Sequence, residues 1–149
     1  MKNKKIIKVI AIIIFLITID QLSKNCLTNS QIEIIPNFLS LKYLENTGIA
    51  FGINLNMNSI ILLNIIIIIC LIWIIKKVYK TKYLNPILFI LAGGIGNVID
   101  RIAKGHVTDF IDVNLFNFPT FNIADVYIVV GILILIIQNL KELKNQPKG

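Results

Sequence analysis

Four apolar runs dominate this chain: roughly Ile6–Leu22, Ser59–Ile75, Leu84–Ile102 and Ala124–Leu140. Each holds 17–19 residues. At 1.5 Å per residue that is about 25–29 Å of helix, close to the hydrocarbon thickness of a bilayer. A backbone in lipid must satisfy its own hydrogen bonds, so runs of this kind become spanning helices. Composition agrees. Of 149 residues, 56% are hydrophobic and 15% charged, against about 45–50% and about 25% in soluble domains. A soluble globular fold and a disordered chain are both excluded. The expected architecture is an all-α membrane protein, with four transmembrane helices and a small extracytoplasmic β-sheet, organised as one integral-membrane domain over 1–149.

The first run follows Lys2, Lys4, Lys5 and Lys8, as a signal peptide would. It lacks a small-x-small cleavage site and ends in Asp20, so it reads as an uncleaved first span. Basic residues then set the direction. The N-terminus, the segment between spans two and three, and the C-terminal tail together hold 11 basic residues and one acid. The opposite side holds 4 basic and 7 acidic residues. The positive-inside rule puts both termini in the cytoplasm. The net charge of +7 is therefore a topology signal and not a nucleic-acid footprint. On the outer side, Gln31–Ile35 and Phe38–Leu44 read as short strands separated by Pro36–Asn37.

Two cysteines are too few for a disulfide framework. Cys70, inside an apolar run, reads as a small core residue. No His/Cys spacing suggests a metal site, and no cofactor is expected. Lys is abundant, at 14 residues, so the lone arginine, Arg101, stands out.

Ionisable residues near spans are costly and mark function. Here they crowd one boundary. Asp20 ends span one. Asn97, Asp100 and Arg101 share a helix face in Gly93-Gly94-Ile95-Gly96-Asn97-Val98-Ile99-Asp100-Arg101. That stretch also reads as a glycine packing patch with a boundary ion pair. A planar guanidinium could equally orient two carboxylates by bidentate contacts. Asp109 falls in what reads as a loop returning to the membrane, where a solvated acid is the plain alternative. Asp125, three residues after Asn122, suits a capping box at the start of span four. If Asp109 and Asp125 approach closely, they titrate as a coupled pair. One would then activate water while the other polarises a carbonyl. Spacing alone does not bring them together.

Five ordered blocks carry a resemblance. They are Asp20-Gln21-Leu22-Ser23-Lys24, Asn46-Thr47-Gly48-Ile49-Ala50-Phe51-Gly52, the Gly93–Arg101 stretch, Gly105-His106-Val107-Thr108-Asp109-Phe110, and Phe121-Asn122-Ile123-Ala124-Asp125. In this order the chain resembles the lipoprotein signal peptidases, or signal peptidase II. The resemblance implies an aspartic endopeptidase of the bacterial cell membrane, with its site on the extracytoplasmic side. The implied substrate is a prolipoprotein signal peptide next to a diacylglyceryl-modified Cys, cut just before that Cys. Asp109 and Asp125 match the catalytic dyad. Asn46, Asn97, Asp100, Arg101 and Asn122 match polar residues that shape the site, and Gly48 and Phe51 belong to the substrate cradle. Asp20 and Lys24 match a block implicated in stability. Thr108 and Val126 depart slightly from the family pattern. Membrane lipids are the other expected partner, with no nucleic acid and a monomeric enzyme. The competing readings are a small proton- or ion-translocating protein and a non-catalytic lipoprotein-binding scaffold. Against translocation, Asn64 is the main polar residue deep in span two, and one amide is not a path.

Overall fold

The computed structural model describes residues 2–28, 31–48, 56–116 and 118–145. Its order is α1 (Lys2–Cys26), β1 (Gln31–Ile35), β2 (Leu39–Asn46), α2 (Met57–Val78), α3 (Leu84–Lys104), β3 (Val107–Val113) and α4 (Ile123–Asn145). All four helices are long and apolar enough to cross a membrane. Each outlasts its apolar run, because the polar residues that flank the run continue the helix. The start of α2 is capped by Asn56, whose side chain accepts from the Asn58 N–H at 3.0 Å. Pro86 sits in the first turn of α3, where a missing N–H costs little.

The helix α3 is the hub, packing on α1, α2 and α4. Of its apolar window, 61% is buried, against 6–11% in the other three. Those three turn large side chains outward, among them Ile7, Phe15, Leu62, Trp73 and Leu133. In water such a surface would aggregate; in a bilayer it is the lipid face. Cys70 lies on this face and is exposed, which corrects its reading as a core residue. Among the described residues the helix carrying it packs only on α3, so most of its surface meets lipid.

At one end of the bundle the strands form an antiparallel sheet in the order β1-β2-β3. Asn37 takes a left-handed φ of 58° at the expected turn between β1 and β2. The second strand runs two residues further than expected, to Asn46. The segment expected to be a loop around Asp109 is instead β3. Its β-branched and aromatic residues suit a strand, and β2 supplies the partner that local sequence could not reveal. The turn before it rests on Gly105, which ends α3 at φ 78° and donates its N–H to the Arg101 carbonyl at 3.1 Å.

Candidate active site

One irregularity in the sheet decides which side chains meet. Leu41 pairs with Ile111, but Leu44 pairs with Asp109 and Asn46 with Val107, so β2 carries one extra residue. Such a bulge flips the face of everything beyond it. In an unbroken register Asn46 would stand opposite His106 and face away from Asp109. With the bulge, Asn46 and Asp109 are diagonal neighbours on one face. The Asn46 amide donates to Asp109 Oδ2 at 2.8 Å.

Beneath the sheet lies a buried charge cluster. Lys24 is fully buried, and its Nζ lies 2.9 Å from Asp20 Oδ2 and 3.0 Å from Asp100 Oδ2. It also donates to Asn97 Oδ1 at 3.0 Å. A buried cation is tolerable only with such complete pairing. The acids in turn hold the backbone. Asp20 Oδ1 accepts from the Ala124 N–H at 3.0 Å, reaching from α1 to the start of α4. Asp100 Oδ2 accepts from the Thr108 N–H at 3.2 Å, tying α3 to β3 one residue before Asp109. Gly96 permits the first of these contacts, since a Cβ there would meet Asp20 Oδ2 at 2.5 Å.

A chain of amides links the two candidate acids. Asn97 donates to Asp125 Oδ1 at 2.9 Å. Asn122 donates to Asn97 Oδ1 at 3.2 Å and to Asp109 Oδ1 at 2.6 Å. The expected capping box is present: Asp125 N–H donates to Asn122 Oδ1 at 3.0 Å, and Asn122 N–H to Asp125 Oδ2 at 3.2 Å. Asn122 is brought to β3 because Phe121 exchanges backbone hydrogen bonds with Ile111. Among the described residues, each of the four carboxylate oxygens thus receives one N–H donor. A carboxylate oxygen has two lone pairs, so one stays available on each. Burial pushes the Asp109 carboxyl up to about 6, and the nearby Asp125 charge adds to the rise. Donation from Asn46 and Asn122 holds it back.

Both acids line a cavity of about 650 Å³, together with Asn46, Gly48, Asn97 and Arg101. Val126 and Val129 of α4 add apolar lining, and Asn64 of α2 also lines it. Among the described residues, α2 and α4 do not pack on each other. Residues of both helices line the cavity. Chemically, it offers two amide-bonded carboxylates in a largely apolar cavity.

The family model described as signal peptidase (SPase) II matches residues 12–141. The chain belongs to the signal peptidase II family. A lipoprotein signal peptidase of Streptococcus pneumoniae is 38% identical, with 95% of this chain and 97% of the relative covered. That of Staphylococcus aureus strain JH9 is 37% identical over 93% of this chain and 91% of the relative. The fold resembles a bacterial membrane enzyme solved by the in meso method at 2.3 Å, with TM-score 0.85 and 35% identity. That match covers 95% of this chain and 93% of the other. A second such enzyme, at 1.9 Å, gives 0.80 and 36%, covering 90% and 93%. Membership makes this signal peptidase II chain a peptidase, and the four helices make it a multi-pass bacterial membrane protein.

Within this signal peptidase II fold, most of the residues singled out in the sequence converge. Asp109, Asp125, Asn46, Asn97 and Asn122 form one hydrogen-bonded set, while Asp20, Lys24 and Asp100 form the cluster beneath it. Phe51 lies outside the described residues. Arg101 departs from expectation. Instead of a bidentate carboxylate contact, it donates from Nη2 to the Gly48 carbonyl at 3.2 Å. Among the described residues it has no ion pair within 4.0 Å. Its helix position puts the guanidinium beside the chain leaving β2. The cavity role of Asn64 is new. Its signal was visible, as the one amide within a run of Ile and Leu, but which way it faced was not.

Proposed function

We propose that this signal peptidase is an aspartyl enzyme in which Asp109 and Asp125 share one proton and hold the attacking water. The observation that carries the reading is the single N–H donor, among the described residues, on every carboxylate oxygen. The remaining lone pairs are free to share a proton and bind water, as paired acids of a coupled dyad do. The ionised acid takes a proton from water as its oxygen bonds to the scissile carbonyl carbon. The protonated acid gives its proton to the carbonyl oxygen, forming a gem-diol. On collapse the C–N bond breaks, the leaving nitrogen takes the dyad's proton, and a gem-diol hydroxyl gives its own proton to the dyad as the carbonyl re-forms, which restores one shared proton. Asn97 and Asn122 hold the dyad geometry, Asn46 holds Asp109, and Arg101 fixes the Gly48 segment beside the substrate.

The substrate in this reading is a prolipoprotein whose signal peptide ends at a diacylglyceryl-modified Cys, with cleavage just before that Cys. The slot between α2 and α4 supports lateral entry from the bilayer, so the membrane supplies much of the positioning. The basic end of the bundle supports a cytoplasmic placement for that end and an extracytoplasmic one for the site. The test is cleavage of purified lipidated and unlipidated precursor by the wild type, Asp109→Asn and Asp125→Asn in detergent, with and without chelator. The expected result is cleavage of the lipidated form alone, unaffected by chelator, and lost in both folded variants. Full activity in either variant, or chelator inhibition reversed by zinc, would sink the dyad.

A further inference from the structure

The end of the bundle remote from the dyad contains a second cavity, of about 260 Å³. That is far more than the roughly 30 Å³ a water occupies. Its rim carries three lysines: Lys5 and Lys8 on α1, and Lys80 in the turn after α2. Among the described residues none of the three pairs with a carboxylate. Lys82 shows the contrast two residues on. It pairs with Glu142 at 2.8 Å, and Tyr83 also bonds that acid. The one carboxylate described at this end is therefore engaged outside the cavity. Tyr79 also lines the cavity, and its hydroxyl is buried without a hydrogen-bond partner. The third contribution is the start of α3, which has no side-chain cap. Its dipole favours an anion. Below this polar rim the walls turn apolar, with Val9 and Ile12 of α1 facing Leu88 of α3.

Three unpaired cations, an orphan hydroxyl and a helix N-terminus call for an anionic, oxygen-rich group. The apolar walls call for hydrocarbon attached to it. We propose that this cavity binds the phosphate headgroup of an anionic phospholipid, with an acyl chain along the α1–α3 groove. Basic pockets between spanning helices suit such headgroups. The site stands apart from the dyad and does not rest on the peptidase mechanism.

The test is native mass spectrometry of the purified full chain from micelles holding equimolar phosphatidylglycerol and phosphatidylcholine. Thermal unfolding of every variant in the same detergent confirms its fold. Phosphatidylglycerol should be retained in preference to phosphatidylcholine. Lys8→Gln and Lys80→Gln should each lower its retention about fivefold. Lys82→Gln should leave it unchanged. Tyr79→Phe should lower it without altering charge. Equal retention of the two lipids overturns the proposal, as does an equal loss in Lys82→Gln. Retention that falls with the lysines but not with Tyr79→Phe means general surface attraction, and that overturns the site. Displacement of the lipid by millimolar inorganic phosphate would make this a free-phosphate site and overturn the lipid assignment.

Discussion

Lys24 is fully buried and holds three acceptors, so its removal leaves Asp20 and Asp100 buried without their shared cation. Breaking such a pair costs about 3–5 kcal/mol. Lys24→Met is therefore expected to lower the thermal unfolding midpoint in detergent sharply, and with it the yield of folded protein. Asn46 works in a finer way. Its amide donates to the ionised form of Asp109 and so pulls that carboxyl down from where burial would leave it. Asp109, at about 6, is protonated below that pH and ionised above it. If a proton shared with Asp125 is required, kcat/KM has an alkaline limb that starts there, because this ratio reports the free enzyme. Removing the donor in Asn46→Leu disfavours the charged form, so the limb should move to higher pH. A limb that stays put or moves down would show that Asp109 does not set it.

Helix α3 meets its neighbours through glycines, and they are not equivalent. A Cβ at Gly96 would press on Asp20, and one at Gly93 on the Ala124 carbonyl, whereas at Gly94 the nearest atom is Ile68 Cγ1 at 3.9 Å. Overpacking costs about 1–3 kcal/mol. Here the strain falls on the bond by which Asp20 holds the start of α4. Gly96→Ala should thus cut cleavage of lipidated precursor at least tenfold and lower the unfolding midpoint. Gly94→Ala should leave both near wild type. Equal effects would mean that the stripe serves general packing only. The same element-scale logic applies to β3. It reads locally as a loop, and only the bulged pairing with β2 makes it a strand that presents Asp109 beside Asn46.

Across the whole molecule, function depends on a gap as much as on contacts. Among the described residues, α2 and α4 both pack on α3 and not on each other, and in the proposed reading the gap between them admits substrate from the bilayer. Val129 of α4 and Asn64 of α2 both line that cavity. A bulky Val129→Trp should narrow the entrance without touching the dyad. Its expected signature is a KM raised several-fold with kcat nearly unchanged, measured on lipidated precursor in detergent. A fall in kcat at constant KM would instead mean that the residue acts on the chemistry.

Much of this protein was legible in one dimension. Span number and approximate limits follow from apolar run length, because lipid leaves a backbone no alternative to the helix. The turn at Asn37 and the capping box of Asn122 and Asp125 follow from short-range chemistry, with partners three residues apart or fewer. The site residues were legible by type, through ordered blocks that resemble a family, but not by contact. That Asn46 faces Asp109 depends on one extra residue in a strand paired across 63 positions. That Lys24 joins Asp20 to Asp100, that Arg101 serves the Gly48 carbonyl and that Asn64 faces the slot depend on how helices dock. Local sequence sets which elements form, since their hydrogen bonds are local. Docking and register are set by long-range packing, which only the tertiary structure decides.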